Sequence, residues 1–262
     1  MQEKQVSVNG KNIFFRQTGD GDPVILLHGF GEEGTVWNRQ FDALNQFQLI
    51  IPDLPGSGQS ELTDDMSIEG MAKTISDFMK AIGLRQCKLI GHSMGGYVTL
   101  AFVEAYSSML TAFGLFHSTA YPDSEEKKET RRKGIEFIKK HGAFEFLKTA
   151  IPNLYSPITK EQQPALVQEQ IEASHEFKSE ALIRYYQAMI DRPDRIHVLK
   201  ETKLPVLFIM GKYDTAAPME DGLKQCYLPS NSDVHLLVSS GHMGMREESA
   251  NSNRFLLDFL SR

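Results

Sequence analysis

The sequence predicts an α/β chain built on a doubly wound, mostly parallel sheet that is interrupted once by a helical insertion. Three observations lead there. Six short apolar runs, at 23–29, 47–53, 86–92, 110–118, 204–211 and 233–238, are bounded by Gly, Pro or Asp. Runs of that length suit strands buried on both faces of a parallel sheet. Helical stretches at 35–46, 67–82, 95–106 and 246–260 lie between most of them, and such alternation implies right-handed crossovers. Residues 121–200, in contrast, hold no strand-like run, 27 of the 62 charged residues and only two of the 20 glycines.

Taken in order, QVSVNG and NIFFRQTG alternate in polarity around Asn9-Gly10, which predicts a hairpin ahead of the parallel strands. The insertion reads as helices at 124–141, 143–150, about 160–175 and 179–191. The last of these carries Leu182, Tyr186, Met189 and Ile190 on one face, at the i, i+4, i+7, i+8 spacing of an amphipathic helix. Because the strand–helix pattern resumes at Leu204, the segment is expected to belong to one sheet domain.

Composition removes several function classes. With 28 Lys or Arg against 34 Asp or Glu the net charge is −6, which argues against a nucleic-acid partner. The basic cluster Arg131-Arg132-Lys133 sits among Glu125, Glu126, Glu129 and Glu136 and reads as a solvated helix face. Cys87 and Cys226 are too few and too far apart for a disulfide framework or a metal site. The polar, alternating N-terminus lacks a signal peptide's apolar region, and no run approaches the ~18 residues of a membrane span. A soluble, cytoplasmic protein with no membrane partner is the expectation.

The chemistry centres on Gly91-His92-Ser93-Met94-Gly95. As a bare G-x-S-x-G, roughly 0.1 matches would occur by chance in a chain of this composition. Its position after CKLI and before YVTLAFVEAY sharpens it: strand, tight turn and helix make an elbow that holds a serine hydroxyl at the end of a sheet. That hydroxyl needs a base and an acid. His242, in SSGHMG after the run ending at 238, and Asp214, after LPVLFIMGKY, lie at strand ends, where open α/β sheets place their sites. Asp123, soon after the run 110–118, is the competing acid. The backbone N–H of Met94 and of Phe30, in His28-Gly29-Phe30-Gly31, are the candidate oxyanion donors. His28 and His117 stand at other strand ends; His28 is expected to brace its loop, and both are placed near the pocket. Tyr186 and Met189 are expected to roof it, favouring compact uncharged acyl groups. The glycine-rich stretch 53–60 lacks the Gly-Lys-Ser/Thr ending of a phosphate-binding loop and reads as a structural turn.

The strings LLHGFGEEGTVW, IPDLPGSGQS, LIGHSMGGYV, LFIMGKYD and SSGHMGMREES together resemble the α/β-hydrolase superfamily. The resemblance implies an eight-stranded sheet domain over 1–118 and 204–262, a helical cap over 119–203, and no cofactor. It implies a Ser93–Asp214–His242 triad acting on a small-molecule substrate, with a small to medium carboxylic ester first. A lactonase, a thioesterase, a carbon–carbon bond hydrolase and a perhydrolase remain open, as does a ligand-binding receptor on the same fold.

Overall fold

A computed structural model describes residues 1–262. The chain opens with the hairpin of β1 (Gln2–Val8) and β2 (Lys11–Thr18). Its two turn residues, Asn9 at φ 51° and Gly10 at φ 80°, are both left-handed, as a two-residue hairpin turn of matching twist demands. There follow β3 (Pro23–Leu27), a 3-10 turn at Gly34–Gln40, β4 (Gln48–Pro52), α1 (Ile68–Ala81), β5 (Cys87–His92), α2 (Met94–Tyr106) and β6 (Leu110–Phe116). Six helices come next: α3 (Glu125–His141), α4 (Ala143–Ala150), α5 (Pro157–Gln162), α6 (Pro164–Ala173), α7 (Ser179–Asp191) and α8 (Ile196–Glu201). The sheet resumes with β7 (Val206–Gly211), α9 (Met219–Leu223) and β8 (Ser232–Leu237), and α10 (Gly244–Glu247) and α11 (Ser249–Leu260) close the chain.

The eight strands lie in the order β1-β2-β4-β3-β5-β6-β7-β8. Only β2 runs antiparallel to its neighbours; the other pairs are parallel. From β3 the chain steps outward to β4, then returns to lay β5 on the other side of β3. Ligands bind at the carboxyl ends of strands flanking such a reversal, and there lie the turns 28–31 and 91–95. Every residue of β5 and of β7 is buried, so their apolar runs are continuous. Within β5 the polar residues are Lys88 and, at its end, His92; Lys88 Nζ donates to the carbonyl oxygens of Leu260 and Arg262 at the C-terminal end of α11. Helix α2 is buried along residues 94–103, consistent with a sequence apolar on every side.

Three sequence-predicted helices differ in detail. The stretch 35–46 is not an α-helix: 3-10 geometry covers Gly34–Gln40 and turns cover 41–46. The stretch 160–175 is two helices, because Pro164 cannot donate a backbone hydrogen bond and instead starts α6, with Gln163 out of helical geometry at φ −137°, ψ 52°. The terminal stretch is broken at Glu248, φ −123°, ψ 54°.

No strand interrupts the six helices between β6 and β7. Apolar residues of this segment, among them Ile138, Leu147, Ile151, Leu182 and Tyr185, are continuous with the core formed by the sheet and its helices. Tyr185 anchors them: its hydroxyl donates to the carbonyl of Pro55 at 2.6 Å and lies 3.0 Å from Ser57 Oγ. The turn 53–60 is itself organised by Asp53, which accepts from Arg16 Nη1 and the Gly34 N–H, both at 2.8 Å.

Candidate active site

Between β5 and α2, Ser93 adopts φ 51°, ψ −116°, a conformation that costs a non-glycine residue on the order of 1–3 kcal/mol. The flanking glycines permit it. A Cβ on Gly91 would lie 2.2 Å from the Gly95 carbonyl, and one on Gly95 would lie 2.6 Å from that of His28. Ser93 Oγ caps no helix N–H, so the hydroxyl stands free in a cavity of about 160 Å³. His242 lines the same cavity. Its Nδ1–H donates to Asp214 Oδ2 at 2.7 Å, leaving Nε2 for the cavity side. Ser93 and His242 share no hydrogen bond, which does not count against the pair, because hydrogen bonds between catalytic groups are often long where no substrate is bound.

Asp214 is buried and fully engaged. Oδ1 accepts from the N–H groups of Ala216 and Ala217, each at 2.8 Å. Oδ2 accepts from His242 and, at 3.0 Å, from His117 Nδ1. Burial opposes the charge, but the two imidazoles outweigh it and hold the carboxyl well below the usual carboxylate range. His117, Asp214 and His242 are the one group of side chains whose potential ligand atoms converge, within 4.8 Å of one another. Those atoms are already taken by N–H···O bonds, so a cation there would have to displace both.

His117 and His28 do not line the cavity, contrary to the sequence expectation for both. His28 is fully buried; Nδ1 donates to the Gly29 carbonyl at 2.9 Å and Nε2 accepts from the Leu54 N–H at 2.9 Å, so it braces the loop. His117 sits behind Asp214 at φ 49°. Gly211 and Gly244 make room for its ring, since a Cβ on Gly244 would lie 2.4 Å from its Nε2. That nitrogen has no partner. Burial therefore keeps the ring neutral and, against the pull of Asp214, lowers its pKa to about 4. The linkage has a definite sign. The unfolded chain takes up this proton near pH 6.5, the folded chain only near 4, so stability falls as pH drops through that window and is flat above it. At ~1.4 kcal/mol per unit the loss is about 3 kcal/mol. Urea unfolding from pH 7 to 4 is expected to show a shallower acid loss in His117→Asn, a residue that tolerates positive φ; parallel curves would disprove it.

The sequence did not single out Glu32. Its Oε2 accepts from the Gly29 N–H at 2.6 Å and from His92 Nδ1 at 2.9 Å, while His92 Nε2 donates to the His242 carbonyl at 2.9 Å. Both nitrogens of His92 thus face acceptors. Burial opposes a charge on this ring, yet Glu32 and the carbonyl outweigh it and raise its pKa, while that of Glu32 is lowered. This pair ties the Phe30 loop, the serine turn and the histidine loop together. Glu247 performs a second tie. It accepts from the N–H groups of Gly241 and Met243 on one oxygen, and from Ser156 N–H and Thr159 Oγ1 on the other. The His242 N–H also donates to the Leu154 carbonyl at 2.7 Å. Nothing local in the sequence marks these acids, apart from the Glu at the third position after Gly29.

Of the α7 stripe, Tyr186 and Met189 line the cavity, whereas Leu182 and Ile190 are core packing. Tyr186 stacks on Phe30, with ring centroids 4.3 Å apart and planes 8° apart. Phe30 and Met94 both flank the serine. The Met94 N–H opens α2, where helix donors have no intrahelical acceptor. Asp123 does not approach a histidine. Its carboxylate is held by Arg131 Nε and by Arg192 Nη2 at 2.9 Å. Arg131 therefore departs from the solvated face expected for its cluster, while Arg132 stays half-exposed.

A family model of the alpha/beta hydrolase fold matches residues 22–115. Across nearly its whole length the chain is similar to a 2-hydroxy-6-oxononadienedioate/2-hydroxy-6-oxononatrienedioate hydrolase of Burkholderia vietnamiensis, 26% identical over 95% of this chain and 91% of that one. Among solved structures it resembles a thermophilic esterase from Thermogutta terrifontis, with TM-score 0.93, 28% identity, and coverage of 100% of this chain and 98% of that one. An enol-lactonase from Burkholderia xenovorans shares the fold, with TM-score 0.91 at 20% identity over 99% and 100% of the two chains.

Proposed function

We propose that this chain, a member of the α/β-hydrolase superfamily, is a serine hydrolase that cleaves a carboxylic ester through an acyl-enzyme. One observation carries the reading: a strained Ser93 with a free hydroxyl shares a cavity with His242, whose Nδ1–H is held by a buried carboxylate. Ser93 Oγ attacks the substrate carbonyl as His242 Nε2 takes its proton. Asp214 fixes the tautomer and stabilises the imidazolium. The N–H groups of Phe30 and Met94 receive the oxyanion. His242 then protonates the departing alcohol, and a water molecule, deprotonated by the same nitrogen, releases the acid. The likeness to an esterase over the full chain supports this reaction.

A second reading is favoured by the Burkholderia vietnamiensis relative. An oxo-dienedioate carries a ketone and no ester, so hydrolysis must break a carbon–carbon bond. The same steps would serve, with the proton delivered to a carbon leaving group. A panel of 4-nitrophenyl esters, lactones, thioesters and a 2-hydroxy-6-oxo-dienoate, run beside fluorophosphonate labelling, separates the two. Ester turnover with labelling confined to Ser93 is expected. Turnover of the dienoate alone would give the second reading, and labelling of other serines would remove both.

A further inference from the structure

Resting on the hydrolase reading above, we infer that the cavity over Ser93 takes a substrate carrying a free carboxylate, held by Lys127 and Arg131 of α3. These two cations stand at i and i+4, on one face of that helix, and both line the cavity with Ser93 and His242. The sequence expectation of an uncharged acyl group came from α7 alone; α3 supplies a wall of opposite character.

The charges in that wall do not cancel. Arg131 gives Nε and Nη2 to Asp123, but Asp123 is also bonded to Arg192, so two guanidinium groups share one carboxylate. Arg131 Nη1 has no partner in the protein. Lys127 Nζ donates once, to the Ala216 carbonyl at 2.6 Å, and retains two N–H donors. The only carboxylate lining the cavity is Glu32, which is already paired with His92. With Arg131, Arg192 and Lys127 against Asp123, this wall of the cavity is left about two positive charges in excess, three against one.

The neighbouring hydroxyls point the same way. Tyr97 and Tyr186 line the cavity, and neither hydroxyl hydrogen-bonds to the protein. Arg192 lies over the Tyr97 ring at 3.9 Å and Arg131 over the Tyr186 ring at 5.5 Å. Burial raises the Tyr186 phenol to about 12, so it remains a donor. A wall that offers an ammonium, a guanidinium N–H and two phenols, with its acids neutralised, is complementary to a carboxylate. A neutral acyl chain would leave these partly buried donors without acceptors, which is costly. At about 160 Å³ the cavity is also small for a ligand pocket, which suits a short-chain acid.

The test is a ratio of kcat/KM for 4-nitrophenyl hemiglutarate over its uncharged methyl ester, with acetoxyacetate over methyl acetoxyacetate placing the charge on the alcohol side instead. In at least one pair the ratio is expected to fall ten-fold or more in Lys127→Met and in Arg131→Met, with partial recovery in Arg131→Lys. Intrinsic ester reactivity cancels in the comparison with wild type. Arg131→Met leaves Asp123 its bond to Arg192, and Lys127→Met stands as the second variant should the first fold poorly. Ligand stabilisation asks the same question without turnover: glutarate, but not glutaramide, is expected to raise the Tm of wild type, and to do so less in either variant. Unchanged ratios in both pairs overturn the inference. If no ester is turned over, which is failure of the ester reading, glutarate stabilisation still decides: equal shifts in wild type and both variants overturn the inference.

Discussion

Ser93→Ala is expected to lower kcat by about 10⁶ and to abolish fluorophosphonate labelling while leaving the fold intact. The size follows from a nucleophile whose loss disables its base and acid together, so that only binding and oxyanion stabilisation remain. The fold should survive because Ser93 Oγ caps nothing; its removal leaves no partner unpaired. Ser93→Gly sharpens the point. At φ 51°, ψ −116° glycine relieves backbone strain that serine and alanine share, so this variant is expected to unfold at a higher temperature than wild type by the equivalent of ~1 kcal/mol. An inactive, more stable glycine variant would show that the turn is held in strain to present the hydroxyl. An active alanine variant would remove Ser93 from the chemistry.

What the sequence makes legible here is what is encoded locally. The Asn9-Gly10 turn, the apolar strands and the elbow glycines each act through neighbours a few residues away, and each lies where local patterning places it. Pro164 was equally readable as a helix start, and the merged helix 160–175 overlooks it. The polar network is different in kind. His28, His117 and His242 all follow strands, yet one braces a loop, one supports the acid from behind and one faces the cavity. Which partner each meets depends on contacts such as His117 to Asp214 and Glu247 to Ser156, 97 and 91 residues apart. No periodicity encodes those. The i, i+4 spacing of Lys127 and Arg131 was visible, but a helix crowded with charge gives no local sign of which face is buried.

The two candidate acids illustrate this limit and carry the second large effect. Asp214→Asn is expected to lower kcat by about 10⁴, because an amide that turns its NH₂ towards His242 donates to Nδ1 and so stabilises the wrong tautomer of the base. The structure sharpens the expectation beyond sequence. Oδ2 accepts from His242 and His117 together, and Oδ1 from two backbone N–H groups. An amide in that place must present its NH₂ to donors on one side or the other, so Asp214→Asn should also be less stable than wild type. Asp123→Asn makes the contrast. Asp123 faces Arg131 and Arg192 and no histidine, so its loss should disturb α3 and leave the proton relay intact. The measurements are kcat for a neutral ester, where the anion site is not engaged, and the pH profile of each variant. Asp214→Asn should lose kcat across the whole range, whereas Asp123→Asn should retain the wild-type profile shape even where its Tm is lowered. If Asp123→Asn instead shows the 10⁴ loss and Asp214→Asn remains active, His242 takes its orientation from another carboxylate, and the bond at 2.7 Å is structural only.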